Sequence, residues 1–225
     1  MKTIIVAGNG PSAQSEAVRD LVVDQDDRVF RCNYFFLAPD DALGYVVDDW
    51  FICEAVEDCR AVRAAVQFGK IRPTIWVPGL SMEMVNEIET NHLTGLQIRV
   101  QKTFAQLPAA TRWENDLAPY RPLMGSFALA VAVGMRPEKI VLCGHDLFLH
   151  PSKKTHGGLS KETRPWQTDF NKAYIENRHR NHQLRGDLKY IRAALDAYDG
   201  EVVSIGSVLA HYFAADFPSW TWLDG

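Results

Sequence analysis

Short apolar runs alternate along the chain with longer stretches in which apolar residues recur every three to four positions. Short runs bounded by turn residues are typical of buried strands, and the longer spacing is typical of helices packed on one face. The alternation predicts a parallel sheet with crossover helices. The predicted strands are Thr3–Ala7, Arg28–Cys32, Tyr45–Cys53, Thr74–Val77, Leu96–Val100, Lys139–Cys143 and Glu201–Ile205. The predicted helices are Ser12–Val22, Ala55–Phe68, Ser81–Asn91, Gly125–Val133 and one long helix near Asp169–Tyr198.

These elements predict an α/β fold: a Rossmann-like, mostly parallel sheet flanked by helices, in a single domain over residues 1–225. The segment Leu149–Gln167 is poor in apolar residues and contains glycine, proline and lysine, so it is interpreted as a long loop. Long loops inside a domain are usually functional lids or disordered. We predict a lid over about residues 149–180, before the last long helix. The aromatic tail near Phe217–Trp222 is predicted to pack on the domain.

Composition narrows the class of protein. A net charge of −4 argues against a broad nucleic-acid surface, which would need an excess of basic residues. The four cysteines form no CxxC or CxxH pair, so neither a zinc site nor a redox pair is indicated, and a reducing cytoplasm is expected. The sequence contains no run of about eighteen uncharged apolar residues, so no transmembrane helix is predicted.

The first candidate site is Gly8-Asn9-Gly10-Pro11-Ser12, where a strand runs into a helix through two glycines. Ser12 is a predicted N-cap, and the following helix N-terminus would attract an anion. The motif is neither a complete GxGxxG nor a P-loop. Spacing alone therefore leaves two interpretations open, a ligand-binding turn or a plain strand–helix turn. The amide of Asn9 is predicted to be available to a ligand.

Two further strands also end in polar residues. Asn33 closes the second strand, and Asp146 follows the strand Lys139–Cys143 through Gly144 and His145. Ligands of open α/β sheets bind beyond the carboxyl ends of the strands, so both side chains are predicted on the same rim as Asn9. The alternative for Asn33 is an asparagine that only forms a turn, and the alternative for Asp146 is an aspartate that only caps the next turn.

A cluster of basic residues occupies Arg178–His182, with Arg185 close behind. On the predicted long helix, His179 and His182 would share one face. Such a cationic site suits a phosphate-bearing ligand, and histidine is suited to general base catalysis near neutral pH. The alternative is a solvated basic helix face. No metal site is predicted, because two histidines are too few and Asp24-Gln25-Asp26, although it has DxD spacing, falls in a turn.

Taken in order, these blocks resemble the bacterial sialyltransferases of glycosyltransferase family 42. The resemblance runs from Ile4–Ser12 through Phe30–Phe35, Arg121–Ala132, Val141–Phe148 and His182–Leu195 to Ile205–Leu209. Members of that family transfer sialic acid from CMP-sialic acid to a galactose-type acceptor, with inversion and without a metal. The resemblance implies a variant of the glycosyltransferase A-type fold.

The resemblance also implies roles for individual residues. It makes Asn9 and Asn33 contacts of the CMP-sugar, Arg121 a substrate-binding residue, and His182 the base that takes the proton of the acceptor hydroxyl. The full set of predicted donor-binding residues is Gly8, Asn9, Gly10, Ser12, Asn33, Arg121, Gly125, Asp146 and Ser207.

The chain departs from the family where tyrosine hydroxyls bond the departing phosphate. Phe148 occupies one such position, and His179 replaces a tyrosine shortly before the catalytic histidine. We predict that other side chains stabilise the phosphate here, and the candidates are His150, Lys153, Lys154, His156 and His179.

The predicted function is therefore an inverting, metal-independent sialyltransferase without a cofactor. Its donor would be CMP-sialic acid or the CMP-sugar of a related nonulosonic acid, and its acceptor a galactose-type glycan. The alternatives are a relative with different chemistry, such as flagellin glycosylation or a pterin-pyrophosphokinase-like reaction, and an inactive nucleotide-binding module. The resemblance also implies a homo-oligomer, a tetramer. The expected location is the cytoplasm, and a role in glycan synthesis would place the protein peripherally at the inner face of the membrane.

Overall fold

The computed structural model describes residues 2–33, 35, 42–52, 73–78, 98–101, 122–149, 166–180 and 182–224. The predicted helices Ala55–Phe68 and Ser81–Asn91 lie outside these residues.

Within the described residues, eight parallel strands form one sheet in the order β5-β4-β3-β2-β1-β6-β7-β8. This confirms the predicted Rossmann-like α/β class. The strands are β1 Thr3–Ala7, β2 Arg28–Cys32, β3 Asp49–Phe51, β4 Thr74–Pro78, β5 Ile98–Gln101, β6 Lys139–Cys143, β7 Glu201–Ile205 and β8 Thr221–Leu223. The described helices are a 3-10 helix Pro11–Gln14, α1 Glu16–Arg19, α2 Met124–Met135, α3 Trp166–Ile175, α4 Leu184–Asp196 and α5 Ser207–Phe213.

The central strands are mainly apolar because both faces of the sheet are covered. In β1, Ile4 and Val6 belong to a core cluster that includes residues of α2 and α4, whereas Ile5 and Ala7 belong to a second cluster that includes Val18 of α1. All four β1 side chains are almost completely buried. Strands of this kind give continuous hydrophobic runs rather than alternating ones, which is why their bounds could be predicted closely.

The strand order reverses direction next to β1. Strands β2 to β5 lie on one side of β1, and β6 to β8 lie on the other. Ala7 and Cys143, the last residues of β1 and β6, are paired in register. In open α/β sheets, ligands bind in the crevice beyond the carboxyl ends of the strands at such a switch point. This geometry directs attention to the residues that follow β1 and β6.

The predicted long helix near Asp169–Tyr198 is wrong, because the structure divides it into α3 and α4. Asn177 is the cause, since it adopts a left-handed backbone with φ 56°. The N–H of Arg178 donates to the carbonyl of Ala173, and the N–H of Asn177 donates to that of Tyr174. This is the pattern of a Schellman helix end with asparagine at C′. His179 and His182 therefore lie in a loop and do not share a helix face.

Asn177 also caps the next helix. Its side-chain oxygen accepts a hydrogen bond from the backbone N–H of Arg185, at 2.8 Å, in the first turn of α4. We therefore expect stability to fall in the order Asn, Gly, Ala at position 177. Asn177→Gly keeps the left-handed backbone and loses the cap, and Asn177→Ala loses both, for a total of about 1–2 kcal/mol. Urea unfolding of the three proteins measures the order, and an alanine variant more stable than the glycine variant would contradict it.

Two other predicted elements are shorter in the structure. The strand predicted at Tyr45–Cys53 is reduced to Asp49–Phe51, because Tyr45 and Val46 belong to an exposed turn; Cys53 itself lies outside the described residues. The helix predicted at Ser12–Val22 is interrupted at Ser15, whose extended backbone (ψ 161°) separates the 3-10 helix from α1.

The C-terminal tail adds a strand that the pattern did not predict. β8 pairs with β7, and Phe217, Trp220 and Trp222 pack against the main core, which confirms the predicted packing of the tail. Within the described part of the chain, no helix has the length and apolar character needed to cross a bilayer.

Candidate active site

The loops that follow β1 and β6 are hydrogen-bonded to each other. The N–H of Gly8 donates to the carbonyl of Cys143 at 2.8 Å, and the N–H of Gly10 donates to that of Gly144 at 3.0 Å. The pairing of the two strands thus continues beyond their ends. The two sequence blocks singled out as candidate sites form one structure at the switch point.

Glycine is needed in these loops because their backbones nearly touch. A Cβ on Gly8 would collide with the carbonyl of Gly144, and a Cβ on Gly10 would collide with the side chain of Asp146. Gly144 also has a φ of 69°, a backbone angle that residues other than glycine rarely adopt. The glycines therefore permit close approach of one loop to the other, a role that the pattern alone did not reveal.

Ser12 forms hydrogen bonds to Asp146 and to Gly144, which join the same two loops. The N–H of Ser12 donates to Oδ2 of Asp146 at 2.8 Å, and the hydroxyl of Ser12 accepts the N–H of Gly144 at 2.9 Å. The predicted N-cap role of Ser12 is wrong, because Gly10 is the N-cap residue and no side chain within the 3-10 helix caps it. Asp146 supplies the negative charge at that helix end. Both side chains are buried, so they hold the rim together from within.

Asn9 and Asn33 lie on this rim at the ends of neighbouring strands. The amide of Asn9 donates to the backbone carbonyl of Cys32 at 2.8 Å, so its nitrogen is engaged rather than available as predicted. Among the described residues, nothing donates to its Oδ1. Asn33 ends β2 with a φ of 45°, and its carbonyl accepts the indole N–H of Trp50. Both asparagines are half-buried.

His145 links the β6 loop to the start of α2. Its Nε2 lies 3.2 Å from the carbonyl of Val6, which can only accept, so Nε2 carries the proton. Burial lowers the pKa of His145 to about 4, and the imidazole is therefore neutral at physiological pH. Gly125 packs against the ring, with room for little more than a hydrogen. Gly125 therefore allows the start of α2 to approach His145, a residue whose role the sequence did not suggest.

A third strand end closes the rim. Gly206, directly after β7, has a φ of 127° and leaves no space for a Cβ beside Ser12. Ser207 follows as the first residue of α5 and is exposed. The predicted residues Gly8, Asn9, Gly10, Ser12, Asn33, Asp146 and Ser207 therefore lie at one edge of the sheet.

The two predicted histidines are stacked on each other in the loop between α3 and α4. Their ring centroids are 5.5 Å apart with an interplanar angle of 26°. The backbone N–H of His182 donates to Nδ1 of His179 at 3.0 Å, so a neutral His179 must carry its proton on Nε2. Both rings are partly exposed.

Aromatic contacts connect the histidine pair to the β6 loop. The ring of Phe148, which follows Asp146 in that loop, contacts Phe170 and Tyr174 of α3. Phe170 in turn lies edge-on to His179 and His182, with centroid distances of 4.9 and 6.0 Å. The structure thus joins the candidate base to the switch-point rim through packed rings. α3 lies inside the segment predicted as a lid, yet its Tyr174 is fully buried in the core.

A buried carboxylate lies at the other end of this contact network. Oδ1 of Asp187 accepts the N–H of Leu123 at 2.9 Å and the hydroxyl of Ser126 at 2.6 Å. The hydroxyl of Tyr174 also lies near the Asp187 carboxylate, but neither that hydroxyl nor Oδ2 of Asp187 makes a well-formed hydrogen bond to a described residue. Burial raises the pKa of Asp187 to about 6, and these polar neighbours only partly offset it. Burial also raises the pKa of Tyr174, which therefore stays protonated.

Asp187 should make stability depend on pH in the acidic range. Because its folded pKa of about 6 lies above the ordinary aspartate pKa of 3.8, the folded protein keeps a proton that the unfolded chain has lost between these values. The contribution of Asp187 to the free energy of unfolding therefore falls as pH rises from about 4 to 6, and is constant above. The expected fall is on the order of 3 kcal/mol, at about 1.4 kcal/mol per pKa unit.

Urea unfolding of the wild type and Asp187→Asn at pH 4, 5, 6 and 7 isolates this contribution as a difference between the two proteins. Asp196→Asn, at the exposed end of the same helix, is the control. A wild-type-minus-variant difference that does not change with pH would refute the raised pKa.

Several predicted residues lie outside the described part of the chain. They are Arg121, His150, Lys153, Lys154 and His156. Among the residues that are described, no group of three or more His, Cys, Asp or Glu side chains could hold a metal ion.

Sequence reasoning missed several residues that shape this region. Tyr174 and Gly206 gave no signal, because their roles depend on packing between distant segments. Asp187 did give one, since it interrupts the apolar stripe of α4 at a position that proves to be buried. A charged residue on a buried helix face needs a partner, and that rule would have singled it out.

The fold and the rim define the chain as an open parallel α/β structure with a crevice at its switch point, the architecture of many nucleotide-binding proteins. No protein-family model matches the chain, and no curated protein matches it.

Solved structures do match. The monofunctional alpha-2,3-sialyltransferase Cst-I of Campylobacter jejuni is similar with a TM-score of 0.68 and 18% identity, over 95% of this chain and 79% of that one. The sialyltransferase CstII of the same organism, in complex with the substrate analogue CMP-3FNeuAc, gives a TM-score of 0.64 and 19% identity, over 99% and 86%. CstII in complex with a trisaccharide acceptor and CMP gives 0.63 and 20%, over 96% and 84%. The chain therefore shares the fold of these bacterial sialyltransferases over nearly its whole length.

Proposed function

We propose that this protein transfers sialic acid, or a related nonulosonic acid, from a CMP-sugar to a galactose-type glycan acceptor, with inversion and without a metal. The observation that supports it most is the pairing of the β1 and β6 loops at the switch point of a fold shared with CstII, a protein seen with CMP and an acceptor. The peripheral membrane association and the tetramer expected from the family resemblance belong to the same proposal.

In the proposed donor site, the nucleotide lies against the rim that carries Asn9 and Asn33. The amide of Asn9 is held by Cys32, which fixes its orientation and directs its oxygen, an acceptor, away from β2. A cytosine amino group is a donor that such an acceptor could bind. Gly8, Gly10, Ser12 and Asp146 then act by keeping the rim rigid, because their polar groups bond one loop to the other.

In the proposed reaction, His182 removes the proton of the acceptor hydroxyl while the oxygen attacks the anomeric carbon of the sugar. The bond from that carbon to the phosphate oxygen breaks, and CMP leaves with the electron pair. Because CMP carries a single phosphate, fixed donors and cations can stabilise the charge that develops on it. Among the residues that the structure describes, His179 is the candidate for stabilising this charge. It is stacked beside His182, and its neutral form presents a proton on Nε2. We also propose that Arg121 binds the substrate. Cationic residues of the predicted lid would help to stabilise the phosphate, and the candidates are His150, Lys153, Lys154 and His156.

The proposal is tested by incubating the pure protein with CMP-sialic acid, with and without lactose, and measuring the release of CMP. We expect release that lactose accelerates. Binding of CMP without release in either reaction would indicate an inactive nucleotide-binding module. Binding of a different nucleotide, with no binding of CMP, would indicate a relative with other chemistry.

A further inference from the structure

Asp187 caps a helix to which it does not belong. Helix α2 begins after Leu123, whose side chain has no acceptor for the free N–H groups of the first turn. Oδ1 of Asp187 accepts both the N–H of Leu123 and the hydroxyl of Ser126 in that turn. The start of α2 is therefore fixed by a residue of α4, 61 to 64 positions away in sequence.

Asp187 itself lies in the first turn of α4, and the histidine loop is attached to that turn. The amide of Gln183, the N-cap residue of α4, donates to the carbonyl of His179 at 3.1 Å. The oxygen of Asn177 accepts the N–H of Arg185 at 2.8 Å. The loop carrying His179 and His182 and the start of α4 are thus bonded into one unit.

The start of α2 packs against the donor side of the proposed site. Gly125, in the first turn of α2, lies against the ring of His145, and His145 is hydrogen-bonded to the end of β1. Asp187 therefore connects the histidine loop by hydrogen bonds to the start of α2, which in turn packs on the switch-point rim. Its side chain is 1% exposed, so water does not compete for these hydrogen bonds.

We propose that Asp187 is a positioning residue, which holds His182 at a fixed place relative to the rim through its two hydrogen bonds to the start of α2. This inference rests on the proposed function, since it assigns His182 as the base. Both hydrogen bonds from the start of α2 end on Oδ1 of Asp187. The positioning role therefore requires a hydrogen-bond acceptor at that atom and not a negative charge. Asparagine offers the same acceptor in the same shape, whereas alanine offers none.

The test compares steady-state kinetics of Asp187→Asn, Asp187→Ala and Ser126→Ala with the wild type. Misplacing a catalytic group by about 1 Å costs on the order of 100-fold in rate. We therefore expect Asp187→Ala to lower kcat on the order of 10- to 100-fold with little change in the KM for the donor. We expect Asp187→Asn to keep at least about half of kcat, and Ser126→Ala, which loses one bond of the two, to fall between them. Asp196→Ala, an exposed change in the same helix, is the control.

Two results would overturn the proposal. One is an Asp187→Asn enzyme as impaired as Asp187→Ala, which would mean that the charge is required and not the acceptor. The other is a rise in the donor KM with unchanged kcat, which would place Asp187 in donor binding. If Asp187→Ala does not fold, the kcat values of Asp187→Asn and Ser126→Ala test the positioning role, with the same expected results.

A separate measurement distinguishes failure of this inference from failure of the proposed function. A wild type that releases no CMP would refute the proposed function alone. The position of His182 is then followed by the ring Cε1–H signals in NMR spectra. We expect those of Asp187→Asn to match the wild type and those of Ser126→Ala to shift or broaden. Identical spectra in all three proteins would refute the positioning role.

Discussion

His182→Ala is expected to lower the release of CMP from CMP-sialic acid by about 10²- to 10⁴-fold, which is the usual contribution of a general base. The affinity for CMP should not change, because His182 lies with His179 in the loop between α3 and α4, against Phe170 of α3, and not on the β1–β6 rim. CMP release measured by chromatography and CMP binding measured by calorimetry give the two quantities separately.

Two further variants make this prediction specific. His211→Ala, on the exposed side of α5, removes a histidine from elsewhere and should leave both quantities unchanged. His179→Ala should cause an intermediate loss of release, because it removes the acceptor of the His182 N–H and the stacked ring. Release that survives in His182→Ala would show that another residue is the base.

Gly10→Ala is expected to weaken CMP binding strongly and to destabilise the fold. The added methyl group would collide with the carboxylate of Asp146, and would lie 2.7 Å from the carbonyl oxygen of Gly144. Since both belong to the buried contact between the β1 and β6 loops, the loops must separate to accommodate it. Overpacking of this kind typically costs about 1–3 kcal/mol. Urea unfolding and CMP calorimetry measure the two effects.

Gly44→Ala is the matched control for Gly10→Ala. Gly44 has a φ of 56° and nothing within 4 Å of the place where a Cβ would lie. Its replacement should therefore cost about 1 kcal/mol in backbone strain and leave CMP binding unchanged. A Gly10→Ala protein that binds CMP as tightly as Gly44→Ala would contradict the role assigned to the rim.

The sheet could be predicted well because its strands are buried on both faces. The bounds of β1, β2, β6 and β7 agree with the prediction, since each is a short, mainly apolar run that ends at a polar or turn residue. β3 was predicted too long, because the apolar residues Tyr45 and Val46 precede it in the sequence and prove to be exposed. β8 is three residues long, too short to have a pattern.

The helices were predicted less well because single residues decide where they end. Asn177 divides the predicted long helix by adopting a left-handed backbone, which asparagine tolerates and does not require. Ser15 interrupts the first helix in a similar way, by adopting an extended backbone. Hydrophobic periodicity continues across Ser15 and so does not show the interruption there. Residues 176–183 contain no apolar side chain, so the pattern gives no evidence of where the helix ends near Asn177.

The location of the site could be predicted from the strand ends, but the roles of its residues could not. Asn9, Asn33 and Asp146 follow strands, and parallel strands bring such residues to one edge. That Asp146 bonds Ser12, and that Asn9 bonds Cys32, depends on contacts between segments far apart in sequence. The pattern predicts which residues meet at an edge, and only the packed structure shows which of them bond each other.

Titration of ¹⁵N-labelled protein with CMP, followed by NMR, tests the proposed nucleotide site most directly. The amide signals of Gly8, Asn9, Gly10 and Asn33 should shift most, while those of Val22, an exposed residue beyond α1, and of Leu223 in β8 should not move. Shifts confined to other parts of the chain, or no shifts at saturating CMP, would contradict a cytidine nucleotide site at the β1–β6 rim.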